Sequence, residues 1–153
     1  MEIKAIIFDW GRTLFDSMLK KEFPESEKVL EYAQSKGYKL AVASLVSALA
    51  NATLPERKSQ IENSPLRHFF DFAAVTDGDK DLVLDELVEK LNLPRNQILI
   101  IDDRIIRGIK YGNRRGHPTV WLQKGKFENE LPNEETGQPT FIIKSLEELL
   151  GVI

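Results

Sequence analysis

Asp9, Ser44, Lys80 and the pair Asp102-Asp103 are the residues of this sequence best suited to chemistry. Asp9 ends an apolar run (Ile3, Ala5, Ile6, Ile7, Phe8), and a Gly-containing turn, Trp10-Gly11-Arg12-Thr13-Leu14, follows at once. Ser44 closes Leu40-Ala41-Val42-Ala43, Lys80 follows Asp77-Gly78-Asp79, and Asp102-Asp103 close Ile98-Leu99-Ile100-Ile101. Adjacent carboxylates repel one another unless a cation sits beside them. Carboxylate oxygens are ligands for Mg²⁺, an ammonium offsets charge on a transferring group, and a hydroxyl can anchor a phosphate oxygen. Together this set suits phosphoryl transfer to a carboxylate nucleophile.

The elements that must position these groups alternate along the chain. Short apolar runs at residues 3–8, 40–43, 72–75, 98–101, 119–122 and 140–143 predict strands. Their apolarity is continuous rather than alternating, as expected for a parallel sheet buried on both faces. Residues 24–36 place Val29, Leu30 and Ala33 on one helical face, with Gly37 as the C-terminal stop. Residues 79–91 space Leu84, Leu87, Val88 and Leu91 helically behind an acidic start that suits the helix dipole. Residues 145–150 read as a short closing helix with Ser145 and Glu148 as a capping box. A helix and a strand fill the interval from Ser44 to Lys80, and a further helix begins near Asp103. Residues 124–139 form a polar loop. The series is that of a doubly wound, Rossmann-like α/β fold with helices on both faces of a parallel sheet. In each case the candidate residue lies at or just past the carboxyl end of a strand, the edge where such folds bind ligands.

The 153 residues fit a single domain, 1–153, with no room for a second. A net charge of −3 argues against a general nucleic-acid or membrane-surface binder. Absence of cysteine excludes disulfides, thiolate metal sites and Cys nucleophiles, and His68 and His117 are too few for a His-clustered metal site. The chain enters an apolar strand directly, without a secretory pattern, and no run approaches the ~20 apolar residues of a membrane span. A cytoplasmic protein is expected.

The ordered set resembles the haloacid dehalogenase-like (HAD) hydrolases along essentially the whole chain. Phe8-Asp9-Trp10-Gly11-Arg12-Thr13-Leu14 is similar to that family's Asp-x-Asp-Gly-Thr-Leu signature, and Gly116-His117-Pro118-Thr119-Val120-Trp121 and the ending 139–150 look like its close. The resemblance implies that Asp9 is a nucleophile carrying an aspartyl-phosphate and that Ser44 binds phosphate. It also implies that Lys80 bridges Asp9 and phosphate, and that Mg²⁺ is held by Asp9, the Gly11 carbonyl, Asp102 and Asp103. The substrate is then a phosphorylated molecule.

Two residues depart from the signature. Gly11 stands where family phosphatases carry the Asp that protonates the leaving group and later activates water, help worth ~10²–10⁴-fold. Arg12 stands where the family has Gly, and its side chain either offers a guanidinium to the bound anion or points to solvent, the second being expected. Thr13-Leu14-Phe15-Asp16 is similar to the dehalogenase branch, but no insertion is long enough for the cap those enzymes need. An uncapped site suits large substrates such as phosphoproteins or nucleic-acid ends, unless an oligomer neighbour covers it. Arg104, Arg107, Lys110, Arg114 and Arg115 form a basic stretch, expected as a solvated helix face with Arg104 and Arg107 nearest the site. The expected function is a Mg²⁺-dependent phosphatase, slow for want of its acid–base Asp. The alternative is a HAD-fold binding or regulatory protein that has lost turnover. A receiver-like phospho-acceptor domain would need the acidic pair after the first strand and Lys after the fifth, so the order here is wrong for it.

Overall fold

The computed structural model describes residues 2–48, 50 and 52–153. Strand β1 (Ala5–Asp9) is followed by a small antiparallel hairpin, β2 (Phe15–Asp16) and β3 (Lys21–Glu22), and by helix α1 (Ser26–Ser35). Next come β4 (Lys39–Leu45), α2 (Leu54–Glu62), β5 (Phe72–Thr76), α3 (Lys80–Leu91) and β6 (Ile98–Asp102). A π-helical turn (Ile105–Ile109) runs into α4 (Lys110–Arg115), then β7 (Thr119–Leu122), β8 (Phe141–Ile143) and a closing 3₁₀ segment (Leu146–Gly151).

The main sheet has six strands in the order β5-β4-β1-β6-β7-β8, all parallel. Alternate residues of each strand face opposite layers. Ile6 and Phe8 of β1, Leu40 and Val42 of β4, and Leu99 and Ile101 of β6 pack with Val29, Leu30 and Ala33 of α1 and with Leu146 and Leu149. Ala5 and Ile7, Ala41 and Ala43, and Ile98 and Ile100 pack against Val83, Leu84, Leu87 and Leu91 of α3 and Tyr111 of α4. Both faces are therefore covered, as the continuous apolar runs required. The chain leaves β1 toward β4 and β5, then returns to place β6 on the other side of β1. That reversal opens a crevice at the carboxyl ends of β1, β4 and β6.

Caps behave mostly as the residue types dictate. Asp79 precedes α3 and its side chain accepts from the Asp81 amide at 2.9 Å. Gly37, φ +82°, takes the left-handed conformation that ends α1. The expected capping box at Ser145 does not form. Its hydroxyl makes no cap bond, the Glu148 amide donates to the Ser145 carbonyl, and the Glu148 carboxylate accepts from the Lys144 amide. Leu146 and Leu149, both fully buried, are three residues apart, and the three-residue repeat of the 3₁₀ segment places both on the same inward face. The helix expected near Asp103 likewise begins as the π-helical turn.

Among the described residues, no cap interrupts the core: only the β2-β3 hairpin lies between β1 and α1, and only α2, a 3₁₀ turn (Arg67–Phe69) and β5 lie between Ser44 and Lys80. Among the described residues, no helix is long and apolar enough to cross a membrane.

Candidate active site

Register brings the carboxylates together. β1 pairs with β6 through Phe8 and Ile101, so one residue further Asp9 and Asp102 end their strands side by side. On the other side Asp9 is paired with Ala43, which sets Ser44 one residue beyond. Lys80, the first residue of α3, reaches back from the helix start, and its Nζ lies 2.8 Å from Asp9 Oδ1 and 2.9 Å from Asp102 Oδ2. Lys80 and Asp102 are buried, at 5% and 1% exposure, and Asp9 is 11% exposed. Carboxylate oxygens of Asp9, Asp102 and Asp103 lie within 4.8 Å of one another.

The oxygens are not equally committed. Asp102 Oδ2 accepts from Lys80 and from the Gly108 amide, and Oδ1 accepts from the Arg104 amide at 3.0 Å. Asp9 Oδ2 accepts only from Thr13 Oγ1, at 3.2 Å. Asp103 Oδ2 accepts from Arg12 Nε at 2.9 Å, while the buried Oδ1 has no partner. A buried orphan acceptor is costly, and this one lies beside the other carboxylates, as a cation ligand would. The donor set therefore fits a hard divalent cation, with Asp9 and Asp103 offering the freer oxygens and Asp102 largely occupied in holding Lys80.

Titration follows the same geometry. Burial raises the Asp9 carboxyl, the Asp102 charge adds to that, and Lys80 opposes both. Burial also works against the Asp102 carboxylate, but Lys80 and the Arg104 and Gly108 amides outweigh it and hold the group below its ordinary value. Asp103 is pushed up to about 8 by burial and by the charges of Asp9 and Asp102, against the pull of Arg12. Lys80 is raised, because its two carboxylates overcome the cost of burying it.

Arg12 corrects the expectation that it faces solvent. Its backbone is left-handed, φ +64°, a conformation natural to the Gly of the family signature and unusual for Arg. The side chain turns inward onto Asp103 and lies over the Phe127 ring, 4.7 Å from its centroid. Ser44 is buried, and its hydroxyl accepts from Arg57 Nη1 at 2.7 Å. At Gly11, an added Cβ would lie 3.3 Å from Ser17 Oγ and 4.0 Å from Arg57 Nη1. A cavity of about 500 Å³ opens here, lined among others by Asp9, Gly11, Arg12, Arg57, Arg107 and Phe127.

The basic stretch divides in two. Arg104 stacks on Phe127 at 3.6 Å and bonds Glu130 at 2.6 Å, and with Arg107 it lines the cavity. Lys110 and Arg114 pair with Glu135, and Arg115 pairs with Asp85 and covers Tyr111. The latter three are the solvated face expected of them. Neither His68 nor His117 lines the cavity; buried His117 contacts the Ile98 carbonyl at the opposite end of β6.

Arg57, Thr13, Gly108 and Phe127 escape a reading of the sequence. Arg57 lies on a helix with few buried residues, only itself and Ile61. Gly108 carries a legible signal, a glycine inside a helical stretch. Its reason is steric, since a Cβ there would stand 2.6 Å from Asp102 Oδ2.

The fold is shared with HAD-type hydrolases of known structure. Residues 80–149 match the HAD-hydrolase-like family model. The chain is 22% identical over 138 residues to a glyceraldehyde 3-phosphate phosphatase of Methanopyrus kandleri, covering 87% of this chain and 57% of that protein. It thus spans little more than half the length of this relative. Among solved structures, an L-2-haloacid dehalogenase from Xanthobacter autotrophicus superposes with a TM-score of 0.71 at 13% identity, covering 98% of each chain. The HAD-hydrolase YfnB of Bacillus subtilis, solved bound to magnesium, gives 0.67 at 20% identity, covering 86% of this chain and 55% of that one. At these identities the structural likeness speaks for the fold.

Proposed function

We propose that the chain is a Mg²⁺-dependent phosphatase that passes the phosphoryl group through Asp9 and is slow on esters with poor leaving groups. The observation that carries this reading is Asp9 itself. It is a carboxylate at a strand end, fixed through one oxygen by Lys80, open to the cavity, and within 4.8 Å of two further carboxylates, one with an unpartnered oxygen. The phosphatase from Methanopyrus kandleri and the magnesium in YfnB point the same way.

Asp9, Asp103 and the Gly11 carbonyl, with Asp102 behind them, would hold Mg²⁺. Bound there, the ion offsets negative charge on the transferring group. Lys80 fixes the attacking carboxylate and adds positive charge beside it. Ser44, oriented by Arg57, offers its hydroxyl proton to a phosphate oxygen. The Asp9 oxygen attacks phosphorus, the bond to the leaving oxygen breaks, and its electron pair departs with the leaving group. Water then attacks the aspartyl-phosphate at phosphorus and frees the carboxylate. No side chain stands at Gly11 to donate a proton in the first step or accept one in the second, so turnover depends on how well the leaving group bears its charge. The test is phosphate release from an aryl phosphate with Mg²⁺ and with chelator, for the parent and for Asp9→Asn. Release that needs both Mg²⁺ and Asp9 supports the reading, and release by Asp9→Asn at the parent's rate refutes it.

A second reading, a protein that binds phosphorylated molecules without turnover, is favoured by Gly11 and by the Arg12–Asp103 pair at the cation site. Gly11→Asp separates the two, because an added Cβ there meets only the Ser17 hydroxyl at 3.3 Å and Arg57 Nη1 at 4.0 Å. Activity that appears only in this variant would favour the binding protein.

A further inference from the structure

The cavity holds more positive charge than one phosphoryl group requires. Arg12 and Arg104 have acidic partners, Asp103 and Glu130. Arg57, Arg107 and Lys126 also line the cavity, and among the described residues none of them has an ion-pair partner. Arg57 is the most telling. It is nine-tenths buried, its Nη1 holds Ser44, and its Nε, shielded from solvent, has no hydrogen-bond partner. Burial lowers its proton affinity, which the charge of Asp9 partly restores. Arg57 lines the same cavity as Asp9, and a guanidinium so placed can bind an anion. It also lies beside Gly11, where the leaving-group acid of family phosphatases would stand.

From this geometry we propose that the substrate carries two linked phosphoryl groups, a phosphoanhydride, and that Arg57, Arg107 and Lys126 hold the phosphate that leaves. The proposal rests on the phosphatase reading and narrows it. Asp9 attacks the terminal phosphorus, and the bond from that phosphorus to the bridging oxygen breaks. The electron pair stays on the bridging oxygen, which departs as part of a phosphate. Water then cleaves the aspartyl-phosphate at phosphorus, its proton passes to the released phosphate, and the sum is anhydride plus water giving two phosphates. A departing phosphate has a pKa of about 6, whereas an alkoxide resembles hydroxide, whose parent water has a pKa of 15.7. The first needs cations and no acid, and the second needs the acid that Gly11 cannot supply. Gly11 and the surplus of cations are thus two parts of one arrangement.

Non-hydrolysable probes read binding apart from turnover. Methylenediphosphonate and methylphosphonate are titrated calorimetrically into the full chain at fixed Mg²⁺, and pyrophosphate, an aryl phosphate and an alkyl phosphate are compared as substrates. The diphosphonate should bind roughly ten- to hundredfold tighter, as one or two added charge-assisted contacts allow. Arg107→Gln with Lys126→Gln should erase that preference, and pyrophosphate should be cleaved faster than the alkyl phosphate. Equal affinity for the two phosphonates, or a preference that survives both substitutions, overturns the proposal. If the aryl phosphate is hydrolysed in that case, the phosphatase reading stands without it. A diphosphonate preference with no hydrolysis of any compound overturns the phosphatase reading and the leaving-group step together.

Discussion

Lys80→Met offers the sharpest probe of how the site is held together. The ammonium is 5% exposed and donates to two buried carboxylates at 2.8 and 2.9 Å. Hydrogen bonds to charged groups contribute roughly 1.5–3 kcal/mol each, and removing one partner of a buried ion pair costs roughly 3–5 kcal/mol. The two ranges overlap, so a loss of about 4 kcal/mol is expected, a large part of a typical 5–15 kcal/mol stability. The variant retains the packing of the lysine stem, so the loss is electrostatic. It should therefore shrink when Asp9→Asn removes one of the stranded charges, with a coupling of about 1–3 kcal/mol in the double-mutant cycle. Without the cation, Asp9 and Asp102 share a buried site as like charges, and their folded-state pKa values rise above the unfolded ones. Stability of Lys80→Met is then present at low pH and lost as pH rises through those values. Urea denaturation of the four proteins of the cycle at pH 5 and pH 7 measures all of this. A cost below about 1 kcal/mol, or a cycle with no coupling, would show that Lys80 does not bind these carboxylates together.

Asp103, raised to about 8 in the metal-free protein, keeps a proton near neutrality that a cation must displace. Mg²⁺ affinity measured by calorimetry should rise between pH 6 and 8 and then level, with a proton released below pH 8; a flat profile would contradict this. By the same linkage, the group's contribution to metal-free stability is fullest below about pH 4 and falls as pH climbs toward 8, a loss that saturating Mg²⁺ should reverse. Arg12→Gly relieves a left-handed backbone worth roughly 1–2 kcal/mol and gives up a charge-assisted bond of similar size. Stability should thus move by no more than about 1 kcal/mol, while Mg²⁺ binds tighter because Asp103 gains a free oxygen; weaker binding would refute the competition. Gly108→Ala forces a Cβ to within 2.6 Å of Asp102 Oδ2 and should cost roughly 1–3 kcal/mol by overpacking. It should also slow turnover by displacing the carboxylate that seats Lys80, and activity equal to the parent's would show the contact to be slack.

Much of this arrangement could be read from the sequence because a parallel sheet sends every strand's carboxyl end to one edge. Once residues 3–8, 40–43 and 98–101 are strands of such a sheet, Asp9, Ser44 and Asp102-Asp103 must meet, and a helix start after β5 brings Lys80 among them. What escaped depends on contacts that no period encodes. Arg57 reaches Ser44 from a helix whose pattern marks no face. Arg12 turns inward from a left-handed backbone conformation that its residue type does not announce, and its side chain meets Asp103. Phe127 and Glu130 belong to a polar loop far along the chain, and only the folded structure shows them gripping Arg12 and Arg104 at the cavity rim. The closing segment was misread for a simpler reason. Leucines three residues apart share a face in a 3₁₀ turn and in an α-helix alike, so their spacing does not distinguish the two.

The proposed reaction turns on Asp9 carrying the phosphoryl group. It is tested most directly by mixing the protein with Mg²⁺ and pyrophosphate or an aryl phosphate, quenching within one turnover, and reducing with borohydride, which converts an aspartyl-phosphate to homoserine. Peptide mass spectrometry then locates the modified residue. Homoserine at position 9, absent without Mg²⁺ and absent from Asp9→Asn, is the expected result. Phosphate release with residue 9 unmodified at every quench time would contradict the account.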